Sequence, residues 1–200
     1  VASLARPGGN VTGVSSITDQ IAGKQLRMLQ EIVPALSRVA IFVQPEDPAG
    51  TASLAALRPT SKNLGIEIFV VEVRSAADLG PKFAFAATNG AQAIQFVANA
   101  YFNNIIVRLA ELAIRHRLPT ISVGRILPDA GGLVSQGPSA GFTTRRSAYL
   151  VDRILKGAKP ADLPVQQPTR FELVVNRKTA EALGITIPQS ILLRADEVIE

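Results

Sequence analysis

Short apolar runs rich in β-branched residues alternate with helical stretches along most of this chain, and that alternation restricts the fold more than any other feature. Residues 38–43 read Arg-Val-Ala-Ile-Phe-Val, and residues 66–73 read Ile-Glu-Ile-Phe-Val-Val-Glu-Val. Residues 93–97, 119–123, 133–135 and 171–175 are further runs of the same kind. The first of them is continuously apolar, as a strand covered on both faces must be. Between them, residues 18–33 place Ile21, Met28, Leu29, Ile32 and Val33 at helical spacing, with Lys24, Arg27 and Glu31 opposite. Residues 49–63, 76–87, 103–117, 143–156 and 177–183 read as helices too. Glycines follow several of them: Gly65, Gly157 and Gly184. Pro59 predicts a kink in the second helix, and Gly80-Pro81 an interruption in the third. Strands and helices in this order predict an α/β chain: a Rossmann-like parallel sheet with helices on both faces. The polar, Pro-rich stretch 157–164 reads as a connector.

The 47% apolar content excludes a disordered chain, and the absence of Cys excludes disulfides, thiolate catalysis and Cys-bound zinc. No apolar run approaches the roughly 20 residues that cross a bilayer. The net charge is +5. Its basic pairs, Arg145-Arg146 and Arg177-Lys178, are scattered, so no direct nucleic-acid partner is expected.

In an open parallel sheet, ligands bind beyond the carboxyl ends of the strands. Four loops qualify. The first, residues 44–51, carries Gln44, Glu46, Asp47, Gly50 and Thr51. Free N–H groups at the helix start can hold an anion, or Asp47 and Thr51 can simply cap the helix. The second, residues 98–104, offers Asn99 as a hydrogen-bonding group and Tyr101 as a stacking ring. Phe102 is read there as a core residue. The third carries Gly124 and Arg125, and two readings of Arg125 stand: a fork onto a ligand carboxylate, or a surface arginine. The fourth carries Gln136. His116, between Arg115 and Arg117, reads as a solvated residue at a helix end. There is no metal-binding motif, P-loop, nucleophile elbow or dinucleotide fingerprint. The expectation is binding without catalysis, with no cofactor and no metal.

Several blocks carry a resemblance. Residues 3–13 (Ser-Leu-Ala-Arg-Pro-Gly-Gly-Asn-Val-Thr-Gly), Gly23-Lys24-Gln25-Leu26, Ile32-Val33-Pro34, 130–135 and 154–164 are among them. Phe171 to Asn176, 183–188 and 193–200 extend it over essentially the whole chain. The sequence resembles ABC-transporter solute-binding proteins of the type I periplasmic-binding fold, related to tryptophan- and tyrosine-binding proteins.

The resemblance implies two lobes that close on a small solute and deliver it to an ABC permease, in the periplasm or otherwise outside the cytoplasm. It implies a crossover segment at 1–13, a second lobe at 14–131, and returning hinge strands and helices at 132–200 that would pack on a first lobe. That first lobe, with its export signal, is expected to precede Val1. The sequence departs from the family pattern at Ala98-Asn99-Ala100 and at Ile126-Leu127, so the aromatic solute of relatives does not carry over. Without the first lobe, Leu150, Ile154 and Leu155 are expected to be uncovered and to pair with a second copy, giving a homodimer. The alternative is the effector-sensing core of a LacI-like transcription regulator without its DNA-binding domain.

Overall fold

The computed structural model describes residues 1–45 and 47–200, with side chains for all of these except residues 18 and 19. Glu46 thus lies outside the described residues. The chain divides into two compact units. The larger holds Thr18–Gly137 and Glu172–Glu200, the smaller Val1–Ile17 and Pro138–Phe171. This partition differs from a division at 131/132, because the segment after residue 171 returns to the sheet of the larger unit.

The larger unit is built on a seven-stranded sheet. The strands are β1 (Arg38–Val43), β2 (Glu67–Glu72), β3 (Ala93–Phe96), β4 (Thr120–Ser122), β5 (Val134–Pro138), β6 (Phe171–Asn176) and β7 (Glu197–Ile199). Their order is β2-β1-β3-β4-β5-β6-β7. Strand β1 runs parallel to β2 and β3, β3 to β4, β4 to β5, and β6 to β7. The parallel pairing follows from the helical connections that separate the strands.

Strand β1 shows why both faces are covered. Val39, Ile41 and Val43 point into one apolar layer, Ala40 and Phe42 into the other, and all five are buried. The first layer is filled by α1 (Thr18–Ile32), α2 (Pro48–Leu64), α8 (Arg177–Leu183) and α9 (Gln189–Leu192). The second is filled by α3 (Leu79–Thr88), α4 (Ala100–Asn104), α5 (Ile106–Arg115) and α6 (Ile126–Asp129). At its centre Phe42, Phe83 and Phe96 cluster, with Phe42 5.0 Å from Phe83 and 5.5 Å from Phe96 between ring centroids. Phe102 joins at 5.9 Å from Phe96, edge to face, as a core residue.

Three local expectations are corrected. Helix α2 runs unbroken through Pro59. Pro59 and Ala55, whose carbonyl loses its partner, both face solvent, so water can replace the missing bond while Leu57 and Ser61 stay buried. Gly80-Pro81 does not interrupt α3. A short 3-10 turn at Ala76–Asp78 precedes it, and Pro81 falls in the first turn, where its absent N–H has no helical partner to lose. The stretch 103–117 is two helices, α4 and α5, broken at Ile105.

The smaller unit contains α7 (Ala140–Leu155), a 3-10 turn at Pro160–Asp162, and a strap formed by its first residues. Val165 N–H donates to the Leu4 carbonyl at 2.8 Å, and Ser15 N–H to the Gln166 carbonyl at 2.8 Å. Thr12 Oγ1 donates to the Leu163 carbonyl at 2.7 Å. On α7 Leu150 is buried, contrary to the expectation of exposure, whereas Tyr149, Val151, Ile154 and Leu155 are exposed, Leu155 to 82%. No helix among the described residues is long and apolar enough to cross a membrane.

Candidate functional site

The chain leaves β1 toward β2 on one side and returns to β3 on the other. The carboxyl ends of β1 and β3 therefore flank the point where strand order reverses, the usual position of a crevice in such sheets. Two loops meet there. Asp47 caps α2: its Oδ1 accepts from Ala49 N–H at 3.0 Å. Asn99 caps α4: its Oδ1 accepts from Tyr101 N–H at 2.7 Å. The caps are joined, because Asn99 Nδ2 donates to Asp47 Oδ2 at 2.7 Å. Each residue thus satisfies a helix end and also locks the neighbouring loop. The capping reading of Asp47 holds, and the two loops are pre-organised as one surface.

The other residues of these loops sit on that surface. Thr51 is exposed, and its hydroxyl is turned back on its own helix, donating to the Asp47 carbonyl at 3.4 Å. Gly50 is buried, and a Cβ added there would meet Gln44 O at 3.8 Å and Asp47 Cβ at 3.7 Å, ordinary contacts. Gln44 and Tyr101 are half-buried, with the Tyr101 ring 6.1 Å from that of Phe102.

Strands β4 and β5 continue the row. At about 4.8 Å per strand, the ends of β1, β3, β4 and β5 span roughly 15 Å. Gly124 accepts from Ser122 Oγ at 3.1 Å. Gln136 lies on β5, and its side-chain oxygen is buried with no hydrogen-bond partner. Arg125 is the residue whose placement differs most from a ligand fork. Its Nε and Nη2 donate to Asp129 at 3.0 and 3.2 Å, and its Nη1 and Nη2 to Glu197 at 2.9 and 3.1 Å. These hydrogen bonds, Asp129 first and Glu197 second, raise its pKa above the ordinary arginine value. The fork is filled by the chain's own carboxylates, the surface reading of the two.

His116 is not solvated as expected. It is half-buried and stacks on Phe83 with centroids 6.1 Å apart. Among the described residues no group of His, Cys, Asp and Glu is arranged to hold a metal ion. Two buried residues behind the site escaped the sequence reading: Gln25 on α1 and Gln95 on β3, each 1% exposed. The signal was there, since each places an amide within an otherwise apolar stripe.

The sequence model of the family described as ABC transporter substrate binding protein matches residues 1–199. A tyrosine-binding protein of Clostridioides difficile (strain R20291) is 21% identical over 189 residues, 92% of this chain and 53% of that protein. A conserved domain protein from Vibrio cholerae superposes with a TM-score of 0.88 at 26% identity, over 99% of this chain and 66% of that one. A domain from Streptococcus pneumonia, solved in complex with L-Trp, gives 0.87 at 24%, over 98% and 67%. A LacI family transcriptional regulator from Bifidobacterium animalis gives 0.60 at 15%, over 82% and 62%, a likeness of fold alone. The chain spans about half the length of its curated relative and about two thirds of these solved chains.

Proposed function

This chain belongs to the ABC transporter substrate-binding protein family, and from that premise we propose that its larger unit supplies one side of a capture site for an amino acid or a related small solute. The solute is handed to a membrane permease, and the whole protein works outside the cytoplasm. The observation that carries the reading is the joined pair Asp47 and Asn99 at the strand-order reversal, 2.7 Å apart. Around it stand groups suited to an amino acid. The Asp47 carboxylate favours an α-ammonium group, the half-buried Gln136 amide stands at the end of β5, and the half-buried Tyr101 ring offers an apolar face. Gln44, Gly50, Thr51 and Gly124 line the adjoining strand ends. Arg125 stands outside the proposal because its donors are taken.

The chemistry is binding without catalysis. The residues at the strand ends are amides, a capped carboxylate, a phenol and the Thr51 and Ser122 hydroxyls, and both hydroxyls donate to backbone carbonyls, not to a base. An effector-sensing core of a LacI-like regulator shares the fold, but the family match over 1–199 favours the receptor.

The chain by itself pairs with a second copy over the exposed residues Tyr149, Val151, Ile154 and Leu155 of α7. Light scattering during gel filtration is expected to give a dimer mass, and a monomer would refute the pairing. A thermal-shift screen with the natural amino acids, their amides and small organic acids tests the receptor reading. At least one amino acid is expected to raise the melting temperature, with the rise lost in Asn99→Ala. No shift with any member of the set would overturn it.

A further inference from the structure

Gly23-Lys24-Gln25-Leu26 is a family-like block whose chemistry the solute site does not use. Gly23 has a packing reason: a Cβ there would lie 2.6 Å from Thr60 Oγ1, so α1 rests close against α2. Gln25 has no such reason. It is 1% exposed in the apolar stripe of α1, where a leucine would pack without any polar cost.

Its amide is instead the middle of a buried relay. Gln95 Nε2, on β3, donates to Gln25 Oε1 at 2.9 Å and to the Ala22 carbonyl at 3.0 Å. Gln25 Nε2 donates in turn to the Gln136 backbone carbonyl at 2.7 Å. Oxygen and nitrogen of Gln25 are thus both committed, one to the sheet interior and one to the end of β5. The next residue, Gly137, is also fixed: a Cβ there would lie 2.2 Å from the Val123 carbonyl oxygen, so only glycine permits the approach. Directly after Gly137 the chain passes from the larger unit to the smaller one.

We propose that Gln25 is a positioning residue for solute capture. Held by Gln95, it sets the height and tilt of the strand end from which Gln136 reaches the solute and from which the chain leaves the unit. The proposal rests on the receptor reading above for its functional half. Its structural half stands on the relay alone. A simple core role would be filled equally by an apolar side chain of the same length. A positioning role would not, because Gln25→Met leaves the Gln136 carbonyl without its donor and β5 free to shift.

The test compares Gln25→Met and Gln95→Met with the wild type by NMR, first without solute. Three readouts are followed: the carbonyl carbon shift of Gln136, the side-chain amide resonances of the partner glutamine, and amide exchange over residues 134–137. Gln25→Met is expected to move the Gln136 carbonyl upfield and to speed exchange at the β5 end about tenfold, with β1 and β3 unchanged. Gln95→Met is expected to give the same changes in smaller measure, and it serves alone should Gln25→Met not fold. Calorimetry with the amino acid found in the thermal-shift screen is then expected to show about a tenfold loss of affinity in Gln25→Met. An unmoved carbonyl shift and unchanged exchange in a folded variant would overturn the proposal. So would a moved carbonyl with wild-type affinity. A wild type that binds no amino acid fails the receptor reading instead, and the solute-free spectra still decide the relay.

Discussion

The two units differ in what holds them. The larger one closes two apolar layers over both faces of a parallel sheet, with Phe42, Phe83 and Phe96 in one layer and Leu26, Leu29 and Ile41 in the other, all at 2% exposure or less. The smaller one is held by backbone bonds between residues 4–15 and 161–166, with Leu150 and Leu163 among its few buried apolar side chains. Its longest helix instead turns Val151 and Leu155 to solvent. A region with a core can hold a site at fixed geometry. A region that lies partly uncovered is suited to meet something else.

The largest expected effect lies in the core. Phe83→Ala should cost the larger unit about 3–5 kcal/mol, a fall in melting temperature of roughly 10 °C by calorimetry at 2–4 °C per kcal/mol. Gly137→Ala comes next, at about 1–3 kcal/mol from the clash with Val123, while Gly50→Ala, with ordinary contacts only, should stay within about 0.5 kcal/mol. Equal effects of the two would remove the distinction between a forced and a permissive glycine. In the smaller unit, Leu155→Lys should change stability by less than about 0.5 kcal/mol yet reduce the dimer fraction. A large loss of stability would mean that α7 is already covered.

The smallest effect concerns a surface turn of the larger unit. Backbone N–H groups of Ser75 and Arg74 hold the Asp78 carboxyl below its ordinary value. Because the folded value is the lower one, its contribution is complete above the ordinary carboxylate range and is lost as the pH falls through the folded value. An NMR titration of the Ser75 amide should show a midpoint below that of a free aspartate, absent in Asp78→Asn.

Most of the sheet was legible in the sequence, because strands buried on both faces need unbroken apolar runs: β1 and β3 have them, and the glycine stops after α2 and α8 lie where expected. What was illegible depended on neighbours distant in sequence. Pro59 is tolerated because its face of α2 meets solvent. Arg125 is drawn off the site by Glu197, 72 residues away, and no local pattern announces that pairing. The joining of Asp47 to Asn99 was hidden for the same reason: Asp47 was marked as a cap, Asn99 only as a hydrogen-bonding group, and its capping of α4 shows in the fold alone. Gln25 and Gln95 were visible as polar interruptions, but their partnership needs the packing of α1 on β3.

The most direct test is a titration of the isotope-labelled chain with tyrosine, tryptophan and other amino acids, followed amide by amide, since NMR detects the weak binding expected of one side of a site. Shifts should gather at Gln44, Gly50, Asn99, Tyr101, Gly124 and Gln136 and leave α7 and β7 unmoved. Shifts spread over other surfaces, or none with any amino acid, would contradict a solute site at the ends of β1, β3, β4 and β5.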